Sequence, residues 1–222
     1  MATSFLVLDV ASAGLANAAD YLKPAAERRA PKNYTKPESI LAWQQEDFAD
    51  DLAKAGLDLD LARMTGVGYV IAGSAPYTEP CKTEAEEAAL VTEIGKLIDS
   101  MRPTIVTYNG HDFDLLLLMR RARYLGVWFP PLNLDRYKSP HLDLMELLSN
   151  RNPQRRKPLG FWVKRHGWTD LRKPLSGEEE ARVPETGRWA ELEASLYHDV
   201  TATYRLAQWW GVVPRVPAEA VA

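Results

Sequence analysis

The segment from Thr104 to Arg120 constrains the fold of this chain more than any other. Thr104-Ile105-Val106-Thr107 is a short β-branched run with the composition of a buried strand. Beyond Tyr108-Asn109-Gly110-His111-Asp112-Phe113-Asp114 comes Leu115-Leu116-Leu117-Leu118-Met119-Arg120, whose leucines can be buried only as one face of an amphipathic helix. A strand that passes through a short polar turn into a helix is the building unit of α/β folds, and ligands gather there where strands end. Asp114, opening the helix, is therefore a candidate metal ligand. One such Asp carries little alone, so its partners decide its meaning.

The rest of the chain repeats the alternation. Phe5 to Val10 reads as a strand containing Asp9. Met64 to Ala72 reads as a second, with Gly66 and Gly68 permitting close approach of another element. A short third strand is expected near Tyr77. Thr83, followed by Glu84, Glu86 and Glu87, caps a helix that runs to about Ser100 and is stopped by Pro103. His141 to Leu148 reads as a short strand passing into a helix. The last long helix, Arg188 to Trp210, has the stripe Leu192, Leu196, Val200, Thr203 and Leu206, and Asp199 falls on it.

Residues 15–61 look inserted after the first strand. Ala25 to Lys36 is a Pro/Ala/Lys/Arg-rich loop, and Pro37 opens a helix with the stripe Ile40, Leu41, Trp43, Phe48 and Leu52. Seven acids against one base, Lys54, between Glu38 and Asp60 make its other face solvated. The sign reverses later: eight bases and one acid lie between Arg151 and Lys173. We expect one domain over residues 1–213, with 15–61 as a helical insertion and 214–222 as a loose tail.

With 222 residues and 46% hydrophobic content the chain has ample core for one domain. A formal charge of -3 excludes a uniformly basic nucleic-acid coat but leaves room for a local basic patch. The single cysteine, Cys81, excludes an internal disulfide framework and a multi-cysteine zinc site, and suits a reducing cytosol. No window approaches the ~20 apolar residues of a membrane span. Phe5 to Leu8 with Ala16-Asn17-Ala18 only faintly resembles a secretory leader, because no basic region precedes it and Asp9 breaks the apolar run. A cytoplasmic location without membrane contact is the expectation.

Three acids thus fall at core or ligand positions: Asp9 in a strand, Asp114 at a helix start and Asp199 on a buried helical face. Each has a bland reading, as turn residue, helix-start acid or polar break in a stripe. Together they have the chemistry of a hard divalent site, because Mg²⁺ and Mn²⁺ take oxygen ligands converging from separate elements.

The order of these motifs resembles the DEDD-type 3′–5′ exonucleases of the ribonuclease-H-like superfamily. The resemblance is closest to the predicted exonucleases related to the proofreading domain of family B DNA polymerases. The family's first motif, a strand ending Asp-x-Glu, is matched by Leu8-Asp9-Val10-Ala11-Ser12. The second, Asn-x-x-x-Phe/Tyr-Asp, is matched by Asn109, Phe113 and Asp114, and is the most specific. His141-Leu142-Asp143-Leu144 is similar to a strand these proteins often carry. The third motif, Tyr-x-x-x-Asp or His-x-x-x-x-Asp, is matched in part by Ala194-Ser195-Leu196-Tyr197-His198-Asp199.

The resemblance implies an α/β fold with a mixed five-stranded sheet flanked by helices. It implies hydrolysis of single-stranded DNA or RNA from the 3′ end, with two Mg²⁺ or Mn²⁺ ions as cofactors. Asp9 would bridge both ions, Asp199 would hold the nucleophile-side ion and Asp114 the other, largely through water. Ions about 3.5–4 Å apart activate water and stabilise the leaving oxygen in such centres. Asn109, Phe113, Arg155, Arg156, Lys157, Lys164 and Arg165 are the nucleic-acid candidates, and Trp162 or Trp168 would stack on a base. The alternative for those bases is a solvated loop. Trp189, Trp209 and Trp210 are expected in core or helix-end packing.

Two positions depart from the pattern. Ala11 stands where the motif has Glu, and Ser195 where it has Tyr. Tyr197, two residues before Asp199, points to the opposite side of the helix, while His198 reaches the site from the flank. Three readings of Ala11 stand side by side: a deliberate Glu-to-Ala change, a natural member that has lost activity, or replacement by another carboxylate such as Asp112 or Asp143. Loss of a metal-ligating carboxylate lowers turnover at least as much as the ~10–100-fold typical of outer-shell changes. The expectation is therefore a nuclease by descent, impaired in this chain. Its rivals are a non-catalytic nucleic-acid-binding module accessory to replication or repair, and an adaptor using the acidic helix around Glu46 to Asp51.

Overall fold

In a computed structural model, which describes residues 4–71, 73–135 and 137–214, alternating strands and helices form one mixed sheet. Ala72, expected to end the second strand, and residues 215–222 of the expected tail lie outside the described residues. The strands are β1 (Phe5–Gly14), β2 (Ala62–Ile71), β3 (Tyr77–Pro80), β4 (Thr104–Thr107) and β5 (Leu142–Asp143). Their order is β3-β2-β1-β4-β5. β1 pairs antiparallel with β2 and parallel with β4, β2 pairs antiparallel with β3, and β4 pairs parallel with β5.

Period-two alternation along β1 divides the core. Leu6, Leu8 and Val10 point into a layer with α2 (Glu84–Met101) and α3 (Asp114–Tyr124), through Leu90, Ile94, Leu115 and Leu118. Val7 points the other way, to Val106, Val200 and Leu206, against α4 (Leu144–Leu148) and α8 (Trp189–Trp210). The first layer also buries a bidentate pair, Arg121 Nε to Glu87 Oε1 at 2.7 Å and Nη2 to Oε2 at 2.9 Å. α2 begins with the expected capping box: Glu86 N–H donates to Thr83 Oγ1 at 3.2 Å, and Thr83 N–H donates to Glu86 Oε2 at 3.0 Å.

β1 runs to Gly14, four residues further than its apolar run indicates, because β2 continues to pair with it. Its parallel pairing with β4 covers only Phe5 to Val7, so the two strands part beyond that point.

α8 lies close on β2 because Gly66 and Gly68 have no side chain. A Cβ at Gly68 would lie 3.0 Å from Leu196 O and 3.2 Å from Val200 Cβ, and one at Gly66 would lie 2.7 Å from Leu196 Cδ1. Asp9 is the β1 partner of Gly68 and Ala11 the partner of Gly66. The glycines thus seat the middle of α8 beside the part of β1 that carries the first motif.

Segment 15–61 contains helix α1 (Pro37–Ala53) between short 3-10 turns. The stripe expected to pack it is not a core face: none of its residues is buried, and Leu41 and Leu52 are 54% and 39% exposed. The helix is instead tied to the preceding turn through buried Arg28. Its Nη1 donates to Asp47 and Asp51, each at 2.6 Å, so these two acids are paired rather than simply solvated. Among the described residues no helix is long and apolar enough to cross a membrane.

Candidate nuclease centre

The turn after β4 is built to deliver Asp114. Asn109 has φ 71°, and a Cβ at Gly110 would overlap the Thr107 side chain. Asp143 braces the turn from β5: its Oδ1 accepts Asn109 N–H at 3.0 Å and its Oδ2 accepts His111 N–H at 3.1 Å. The same Oδ1 caps α4 through Met145 N–H at 2.9 Å. Asp143 therefore braces the backbone, and does not swing in to replace the missing Glu. Asp112 is held by Arg156 Nη1 at 3.0 Å.

Asp114, 5% exposed, accepts Val10 N–H at 2.8 Å through Oδ1. Asp9 is partly buried on the neighbouring stretch of β1. Asp199 lies on α8 with its side chain 14% exposed. The structure thus brings Asp9, Asp114 and Asp199 together from three elements. Burial raises the Asp9 carboxyl well above the usual carboxylate range, and the charges of Asp199 and Asp114 raise it further. Burial likewise pushes Asp114 up to about 7, against the lowering effect of the Val10 N–H. Such carboxylates favour a proton or a cation.

Sequence reading missed two groups beside them. Lys173 Nζ lies 2.9 Å from Glu180 Oε1 and also binds Asp199 Oδ2, with 29% of its side chain exposed. Glu180 is on α6 (Gly177–Ala181), and its charge also acts on Asp9. Burial raises the Glu180 carboxyl, while Lys173 opposes that rise. The Ser176–Glu179 capping box was a readable sign of α6. Nothing local distinguishes Lys173 from the other bases of its run. On the other side His198 Nδ1 is 2.8 Å from Asp199 Oδ1, a contact from the flank, while Tyr197 is 48% exposed.

The two departures from the motif are filled by this same segment. Ala11, 6% exposed, packs in an apolar cluster with Leu175, Val183 of α7 (Val183–Thr186), Leu192 and Leu196. Ser195 is fully buried and its Oγ accepts Leu175 N–H at 3.2 Å. Ser195 is thus engaged within the protein.

The donor chemistry suits a hard divalent ion, but the arrangement does not fit two. Ala11 offers no oxygen, and both oxygens of Asp199 are engaged. Among the described residues no group of three His, Cys, Asp or Glu side chains is placed to hold a metal ion.

The basic stretch is partly helical, with α5 (Leu159–His166) where a loop was one reading. Arg155, Lys157, Lys164 and Arg165 are exposed, whereas Arg156 is tied to Asp112 and to Glu146 Oε1 at 3.5 Å. Trp162, Arg165, His166 and Trp209 line a surface pocket. His166 stacks on Trp168 with ring centroids 4.8 Å apart, and Trp162 Nε1–H donates to Tyr108 Oη at 3.0 Å. Trp209 and Trp210 lie at the end of α8 and are 44% and 47% exposed, and Trp189 packs on the Ala11 cluster. Asn109 is partly buried, and Phe113 packs against the α2/α3 layer.

Comparison with known proteins agrees with this geometry. No curated protein matches the chain. Among solved structures, the family B DNA polymerase from the hyperthermophilic archaeon Pyrobaculum calidifontis superposes with a TM-score of 0.60 at 15% identity. The alignment covers 94% of this chain and 24% of the polymerase, so the chain spans about a quarter of that protein's length. At this identity the likeness concerns the fold, which is ribonuclease-H-like. The model of predicted 3′–5′ exonucleases related to the exonuclease domain of PolB matches residues 78–207, more than half of the chain and including Asp114 and Asp199. With its mixed sheet, its full second motif and the Asp of the third in place, the chain belongs to that family of predicted 3′–5′ exonucleases.

Proposed function

We propose that the chain engages the 3′ end of single-stranded nucleic acid, DNA in the first instance, at the Asp9–Asp114–Asp199 centre. Hydrolysis there runs well below the rate of an intact four-carboxylate site. The observation that carries this reading is the convergence of three carboxylates from β1, α3 and α8, two of them held above their usual range by burial. Phosphate contacts fall to the exposed Arg155, Lys157, Lys164 and Arg165, and base stacking to the pocket of Trp162, His166 and Trp209. Magnesium or manganese would supply charge neutralisation at the phosphate. The protein's part is to orient the strand and to exclude competing contacts.

A second reading, a binding module without turnover, is favoured by the leucines around Ala11. One experiment separates the two: 5′-labelled single-stranded DNA and RNA incubated with Mg²⁺ or Mn²⁺, with binding followed by anisotropy against salt. Slow shortening from the 3′ end that disappears in Asp199→Ala supports the nuclease. Binding with a steep salt slope and no shortening supports the module, and no binding at low salt refutes both.

A further inference from the structure

We propose that Lys173 is a built-in counter-cation of the carboxylate centre, seated on the Asp199 side where a divalent ion would bind, so that such an ion enters only by displacing it. The inference rests on the three-carboxylate reading above and adds what occupies it.

Lys173 is the last of eight bases between Arg151 and Lys173. Its ammonium contacts Asp199 Oδ2 and Glu180 Oε1, carboxylates from α8 and α6, and its charge also acts on Asp9. A lysine ammonium is a compact point charge on a flexible stem, so it can take a small ion's place among oxygens and also leave it. Arginine, with a planar fork, suits that role less well.

The segment carrying Lys173 is anchored where the family motif is altered. Two residues on, Leu175 is buried beside Ala11 and gives its N–H to Ser195. Val183 closes the same apolar cluster, and Glu180 contacts the Lys173 ammonium. A Glu at position 11 would meet these leucines, and a Tyr at 195 would displace the Leu175 backbone. The small residues at 11 and 195 and the inward lysine therefore form one remodelled unit.

The probe is Mn²⁺ alone, titrated by calorimetry and electron paramagnetic resonance into the wild type, Lys173→Met and Asp9→Asn. The expected result is binding to Lys173→Met about tenfold tighter than to the wild type, a change of the size that supporting residues at metal sites produce. Asp9→Asn should bind more weakly than either. Equal or weaker binding by Lys173→Met overturns the counter-cation and leaves the carboxylate centre standing. Absence of Mn²⁺ binding in both proteins overturns the two together.

Reductive methylation of the unmodified protein, read residue by residue by mass spectrometry, guards against a variant that fails to fold. Lys173 should react more slowly than Lys164 without metal and approach its rate with saturating Mn²⁺. A Lys173 rate that is as fast as that of Lys164, or that Mn²⁺ does not change, refutes the proposal.

Discussion

Asp114→Asn should stabilise the metal-free protein at neutral pH, although it removes a candidate ligand. Asn keeps an amide oxygen to accept Val10 N–H and carries no charge. Burial lifts the Asp114 carboxyl from an ordinary value of 3.8 to about 7. A rise of roughly three units corresponds to about 4 kcal/mol. Because the folded chain holds the proton more tightly than the unfolded chain, stability is complete below about pH 4, and it falls as pH rises through about 7. The advantage of Asn should therefore be under about 1 kcal/mol at pH 4 and approach ~4 kcal/mol at pH 8. Removing the Asp114 charge also relieves Asp9, which acts in the same direction. Urea unfolding of both proteins in EDTA at pH 4, 6 and 8 measures the difference. A difference constant with pH, or a variant less stable at pH 8, would refute the buried-charge account.

Ala11→Glu should not restore a nuclease, because the added carboxylate enters the Leu175–Val183–Leu192–Leu196 cluster; thermal melting should show a loss of roughly 3 kcal/mol or more. Gly68→Ala should push α8 off β2, costing about 1–3 kcal/mol and weakening single-strand binding by anisotropy, since its Cβ would lie 3.0 Å from Leu196 O. Lys164→Ala and Arg165→Ala should each flatten the salt dependence of single-stranded DNA binding by about 0.7 in the logarithmic slope, with the fold unchanged by circular dichroism.

Legibility of this fold in the chain follows how local each determinant is. Thr104–Arg120 and the stripe of α8 are local patterns, and both stand as read. The positions of Asp9 and Asp199 were readable because strand alternation and helical spacing fix side-chain direction. α1 was readable as a helix but not in its packing, because its partner, Arg28, lies in a loop without periodicity. Glu180 and Lys173 were not readable at all as site residues. Their meaning comes from contacts with Asp199, 19 and 26 positions away in the chain, and a base run looks the same whichever member turns inward. Ala11 was visible as a departure, yet only its leucine neighbours show why it is accommodated.

The parting of β1 from β4 after Val7 has a consequence for hydrogen exchange. In the interior of a sheet an amide is normally shielded by the neighbouring strand. At Val10 that partner is absent, and the Asp114 carboxylate takes its place at 2.8 Å. Deuterium uptake at this one backbone position therefore reads the carboxylate directly, with no added probe. Whatever draws Asp114 towards a ligand loosens the middle of the central strand, so occupancy of the centre and local opening of the sheet are written on the same amide.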